Sequence, residues 1–279
     1  MSNPALTHNP ALSGKTLTAE ELNRIYNQPS AELYRPGVEQ PVSAPASDGG
    51  SLPPAAGSDR PMTYENTISK TVLLFIVVLA FAAVGWLFPV LMLPGAIAGL
   101  VLGLVNAFKK QPSVPLILFY GVAEGLFLGG ISSFFEAQWP GIVSQAVIGT
   151  FSVFGVTLLL FRSGKVRTSP RMTKIVLIAM GGYLVFSLIN FGMMMFGATD
   201  SMFGMRDITV MGMPLGVVIG LLAVFLAAYS LVMDFELIQN GVKNRVPEKW
   251  GWSAAFGLMV TLIWLYIEIL RIIALIRNN

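Results

Sequence analysis

Past residue 70 the chain alternates long apolar runs with short polar breaks. Apolar stretches of about 20 residues, enough to cross roughly 30 Å of hydrocarbon as helices, recur at 71–88, 90–108, 114–135, 141–161, 174–197, 214–233 and 254–276. Strict alternation of apolar and polar positions, the mark of a membrane barrel, is absent. The pattern predicts an all-α membrane protein with seven transmembrane helices. Ahead of it, residues 1–60 are rich in Pro, Ser, Ala and Gly and lack periodicity, as in SAPASDGGSLPPAAGS at 43–58. They are expected to form a disordered cytoplasmic tail, and 61–279 the seven-helix domain. Within the tail NPAL occurs at 3–6 and again at 9–12, and TAEE at 18–21 fits a capping box. Such a tail reads either as a docking peptide or as a spacer.

Composition agrees with the pattern: 54% of residues are hydrophobic and 12% charged, and the mean hydropathy is +0.68, above what a water-soluble domain tolerates. The lipid bilayer is therefore the expected surroundings. The net charge is only +3, and the cations sit in short connections, which speaks for topology and against nucleic acid. Arg60, Lys70, Lys109, Lys110, Arg162, Lys165, Arg167, Arg171, Lys174, Lys243, Arg245 and Lys249 all fall on one side of a seven-span path. The opposite connections carry only Arg206, and Arg277 at the far end is the one residue against the rule. The asymmetry places the N-terminus in the cytoplasm and the C-terminus outside, in a plasma (inner) membrane. The N-terminus has no apolar core of a cleavable signal, so the first span is expected to target the chain.

Chemistry is bounded mostly by exclusion. Without cysteine there are no disulfides or thiolate metal sites. His8, the only histidine, lies in the tail, so imidazole catalysis and zinc ligation inside the bundle are excluded. No zincin, nucleophile-elbow, P-loop or dinucleotide motif occurs, and neither an enzyme nor a cofactor is expected. The methionines of FGMMMFG at 191–197, with Met202, Met205, Met211 and Met213, are soft ligands of the kind Cu(I) takes; lacking Cys or nearby His, they read as pliable packing. Gly95, Gly99 and Gly103, and Gly212, Gly216 and Gly220, form stripes at a spacing of four. Such stripes let backbones approach, inside the bundle or between copies in a homo-oligomer.

Few ionisable residues lie within the runs: Glu124 in the third, Asp234 at the end of the sixth, and Glu268 and Arg271 in the seventh. A charge at the bilayer centre costs about 2.5–3.5 kcal/mol, so these should face a partner or a wet cavity. Helical rise puts Glu124, Glu268 and Asn190 at similar depth, and Arg271 three residues beyond Glu268 can meet it on one face. Two readings stand. Glu268 and Arg271 neutralise each other for insertion, or Glu124, Glu268 and Arg271 form a coupled titratable network that switches with pH. Asp234 belongs to another layer, where a latch to Lys110 or Lys109 and a solvated boundary carboxylate are both geometrically reasonable.

The stretches FPVLMLP (88–94), FYGVAEGLFLGGISSFFE (119–136), AVIGTFSVFGV (146–156), SLVMDFELIQ (230–239) and AAFGLMVTLIWLYIEILRII (254–273) together resemble the Bax inhibitor-1 family, over about residues 65–276. The resemblance implies six helices wrapped around a central C-terminal one. It also implies a pH-sensitive calcium leak, closed by an aspartate late in the sixth helix, an aspartate in the seventh and a basic residue at the end of the second. Asp234 stands at the first of these positions and Lys110 at the last. Matching LYIE would put Glu268 at the seventh-helix position and make Asp234 and Glu268 the candidate Ca²⁺ ligands, but it needs several extra residues in the preceding connection. Matching AAFGLM and ILRII needs fewer and puts Thr261 there, with Glu268 two turns away, ~10 Å further along the axis. Some bacterial members of the family modulate a membrane-bound ATP-dependent protease, which makes such a protease a second kind of partner.

Overall fold

The computed structural model describes residues 60–199, 201–210 and 212–278. The expected tail, with its NPAL repeats and capping box, lies outside the described residues. Seven helices are long and apolar enough to cross a membrane. They are α1 Tyr64–Leu87, α2 Met92–Phe108, α3 Val114–Gln138, α4 Ile142–Arg162, α5 Pro170–Met195, α6 Leu215–Lys243 and α7 Trp250–Asn278. A 3₁₀ turn, Pro89–Leu91, leads into α2. The only strands among the described residues are β1 Thr209–Val210 and β2 Met213–Pro214, an antiparallel hairpin before α6 that pairs Thr209 with Pro214 and Val210 with Met213. Gly212, expected on a helical stripe, turns this hairpin at φ +82°.

Every predicted span is a helix, but several run past their predicted edges. The first starts at Tyr64 instead of 71, and the sixth ends at Lys243 instead of 233. Hydropathy marks only the lipid-facing part of a helix, whereas backbone hydrogen bonding continues until something caps it. Thr63 caps α1 by accepting from the Asn66 amide at 3.2 Å. Ser169 caps α5 by accepting from Met172 N at 3.3 Å, with Pro170 at the first helical position, where a missing N–H costs nothing. Because α6 is longer than predicted, Asp234 sits well inside the helix instead of at its end.

Many large apolar side chains point outward, among them Ile68, Leu100, Leu159, Ile178, Leu188 and Leu221, as lipid contact requires. Contacts between helices rely on missing side chains. A Cβ on Gly125 would stand 2.6 Å from the Val78 carbonyl oxygen, and one on Gly129 would overlap that of Ala82, so α1 and α3 lie backbone against backbone. Gly95 of the α2 stripe does the same against Ala123 and Phe127 of α3. The α6 stripe, through Gly216 and Gly220, receives Leu275 and Ile272 of α7. Helix α7 packs on α1, α3, α4 and α6 and meets α5 through Trp264, whose ring lies 5.7 Å from that of Tyr183.

The two ends of the bundle are tied differently. At the Lys/Arg-rich end, Arg60–Met62 runs beside the α6–α7 connection: Met62 N donates to Val246 O at 2.8 Å and Glu248 N to Arg60 O at 2.7 Å. Lys70 adds an ion pair to Glu248 at 3.3 Å. Glu236 accepts from the amide and hydroxyl of Thr168, fixing the α4–α5 connection to α6. At the opposite end Arg277 donates to the Pro140 carbonyl at 2.9 Å. There Glu136 accepts from the Gly141 and Val143 amides, closing the α3–α4 turn.

Candidate functional site: a buried ion network and a separate carboxylate

Glu268 is 1% exposed, eighteen residues into α7, roughly 27 Å along the axis at 1.5 Å per residue. Its Oε2 accepts from Arg271 Nη1 at 2.6 Å, the i,i+3 contact expected from the sequence. Its Oε1 accepts from Arg206 Nη1 at 3.2 Å. Tyr183 of α5 closes the cluster. Its hydroxyl donates to Glu268 Oε2 at 2.5 Å and accepts from Arg206 Nη2 at 3.2 Å and Arg271 Nη1 at 3.1 Å. One donor and two lone pairs are all a phenol has, so Tyr183 is fully used. Arg206 Nη2 also donates to Ser187 Oγ at 2.9 Å, and its guanidinium lies 5.4 Å from the rings of both Tyr183 and Phe186.

Arg206 is the residue that sequence reasoning missed. In the sequence it is the lone cation of a connection; in the structure it is 3% exposed and inserted into the bundle. Asn190 of α5 holds the loop that delivers it: the side chain accepts from Met205 N at 2.7 Å and donates to Phe203 O at 3.2 Å. Gly216 makes the room, since a Cβ there would stand 2.8 Å from Arg206 Cβ, and a Cβ on Gly220 would stand 3.4 Å from Glu268 Oε1. The available signal was a solitary cation in that connection, with small residues recurring on the next helix.

The expected single layer of Glu124, Asn190 and Glu268 is not formed. Axial depth says nothing about which side of a helix faces which neighbour. Glu124 turns to α2, where a Cβ on Gly99 would stand 2.8 Å from its Oε1; Asn190 turns to the 203–205 segment. Among the described residues no hydrogen bond or ion pair joins Glu124 to Glu268 or Arg271.

Asp234 forms a separate site. Thr261 Oγ1 donates to Asp234 Oδ2 at 2.8 Å, and Gly257 leaves room for the carboxylate, its absent Cβ lying 3.3 Å from Asp234 Oδ1. Thr261, the position matched to the second acidic residue, therefore does face Asp234. Glu268 does not: it stands two turns further on and spends both oxygens on the cluster, so the two candidate calcium ligands are not brought together. Among the described residues no group of three or more His, Cys, Asp or Glu is placed to hold a metal ion. Lys110 is exposed at the end of α2, and no ion pair joins it to Asp234; in this structure the carboxylate meets a hydroxyl instead of an ammonium.

Fold and site together define a multi-pass helical membrane protein with one carboxylate shared by two arginines and a second carboxylate facing a threonine. The family model described as Bax inhibitor 1 like matches residues 3–278, and the chain belongs to that family. The match is wider than the motifs alone cover, since it takes in the tail as well as all seven spans. A search of curated proteins finds no match.

Proposed function

We propose that the protein is a non-enzymatic cation leak, passing calcium or protons, with its Lys/Arg-rich end in the cytoplasm and its gate at Asp234. The observation that carries this reading is the Asp234–Thr261 contact: a partly buried carboxylate inside a transmembrane bundle whose hydrogen-bond partner is a neutral hydroxyl. A carboxylate without a cation attracts permeating cations, and its charge changes with pH. Glu124, in the glycine notch of α2, is a second acidic group along the bundle, and Lys110, exposed at the end of α2, would close the mouth by pairing with ionised Asp234 and open it when Asp234 is protonated. In liposomes the purified protein should pass Ca²⁺ faster at acidic than at neutral pH, and Asp234→Ala should alter that difference. Flux no greater than that of protein-free vesicles rejects the reading.

The second reading is a regulator of a membrane partner such as a protease. It is favoured by the family match beginning at residue 3, which makes the tail part of what family members share. Deleting residues 1–60 separates the two: flux survives if the bundle is the function, and partner regulation collapses if the tail is.

A further inference from the structure

We propose that the cavity beside the ion network binds one anionic amphiphile, its head on Arg271 and Arg206 and its chain between α3 and α5. The cavity encloses about 370 Å³, within the range of small-molecule sites. Its polar end is Arg271, Arg206 and Ser187; its walls include Phe127 and Phe134 of α3 and Phe191 of α5. Phe134 and Phe191 are 45% and 60% exposed, so the cavity opens on the surface that faces lipid.

Charge is the first argument. Two guanidiniums share one carboxylate, and among the described residues no other acid pairs with either. Neutralising Glu268 for insertion takes one arginine. The second leaves a surplus positive charge deep in the bundle, which a monoanion would cancel. Donor geometry is the second argument. Arg271 spends Nη1 on Glu268 and Tyr183, and its Nε and Nη2 donors have no partner among the described residues. Its side chain is 26% exposed, against 4% for Arg206, and that exposure is onto the cavity it lines. A planar fork of free N–H groups suits a carboxylate or phosphate. The aromatic walls then select a head that carries an apolar chain over a free ion.

The head can be the phosphate of a phospholipid or the carboxylate of a free fatty acid, and the test separates them. The full chain, purified in a neutral detergent, is titrated with phosphatidylglycerol, oleate, phosphatidylcholine or inorganic phosphate, and retained ligand is counted by native mass spectrometry. The expected result is one equivalent of phosphatidylglycerol or oleate retained at least about tenfold more tightly than phosphatidylcholine. Which of the two is retained names the source. Arg271→Gln should reduce retention by about tenfold, the loss of one charge-assisted contact. Ile131→Trp, which narrows the cavity from α3 at a side chain with no hydrogen bond to the ion network, should do the same and serves if Arg271→Gln does not fold. Retention of phosphatidylcholine equal to that of the anionic ligands, retention unchanged by both substitutions, or inorganic phosphate bound as tightly as the amphiphiles would each overturn the proposal.

Discussion

Thr261 donates its hydroxyl to Asp234 Oδ2 at 2.8 Å, across the contact between α6 and α7. The same hydroxyl also reaches the Gly257 carbonyl at 3.2 Å, so it stands where helix backbone and carboxylate compete for one proton. Replacing Thr261 by Val keeps the shape and removes the donor. The expected cost is about 1 kcal/mol of stability, read as a lowered Tm in detergent. Thr261→Asp should instead create an acidic pair with Asp234 and make Tm rise more on adding Ca²⁺ than in the natural chain.

The ion network predicts an order of damage. Glu268→Gln leaves two arginines without a counter-charge and should cost about 3–5 kcal/mol, the range for breaking a buried ion pair. Arg271→Gln should cost less than Arg206→Gln, because the Arg206 side chain is 4% exposed and that of Arg271 26%. Chemical or thermal unfolding of the three variants in one detergent checks the ranking; equal losses contradict it.

Glycine contacts give a matched pair of substitutions. Gly129→Ala would drive a methyl into the Ala82 carbonyl and separate α1 from α3, whereas a Cβ on Gly155 meets nothing within 4 Å. The first should cost about 1–3 kcal/mol, as overpacking does, and the second should change stability by less than about 0.5 kcal/mol. Monodisperse yield and Tm report both.

The Lys/Arg-rich end carries a pH-dependent strap. Hydrogen bonds from Asn66 and Lys70 hold Glu248 below the usual carboxylate range. A depressed carboxylate adds stability that is fully present above its unfolded pKa and lost as pH falls through the folded one. The protection factor of the Met62 amide, bonded to Val246 O, should therefore fall on acidification. Glu248→Gln should flatten that dependence.

The opposite end responds with the other sign. Burial pushes Asp207 above the usual carboxylate range, against a hydrogen bond from the Phe203 backbone; one of its oxygens takes the Ser201 hydroxyl and the other, Oδ1, is buried without a partner. A raised carboxylate pKa means that the folded state holds the proton better, so this end gains stability as pH falls through that value. Higher protection factors of the 203–208 amides in acid check it, and Asp207→Asn should remove the effect.

What the sequence discloses follows from the range of the interactions. All seven spans were legible because hydropathy is a property of contiguous residues, and the Glu268–Arg271 contact because three positions on a helix share a face. Thr261 facing Asp234 was legible only through the aligned motifs of the family. Arg206 was not, because its partner is 62 positions away and a loop has no periodicity to aim a side chain. Glu124 was legible as an ionisable residue within the third span, yet the notch at Gly99 that receives it depends on how α2 and α3 rotate against each other. The spare room beside Arg271 is likewise a property of packing and not of any one segment.

The glycine-to-carbonyl contacts between α1 and α3 bear on how the protein is made. The surface that α1 must bury is completed by a helix that leaves the ribosome only after α2 has been synthesised. A nascent chain that has released two spans therefore has no settled place for its first. Arrest of translation between α2 and α3 should leave α1 exposed to whatever holds unpartnered spans in the bilayer, and the bundle begins to close only when Gly125 and Gly129 arrive.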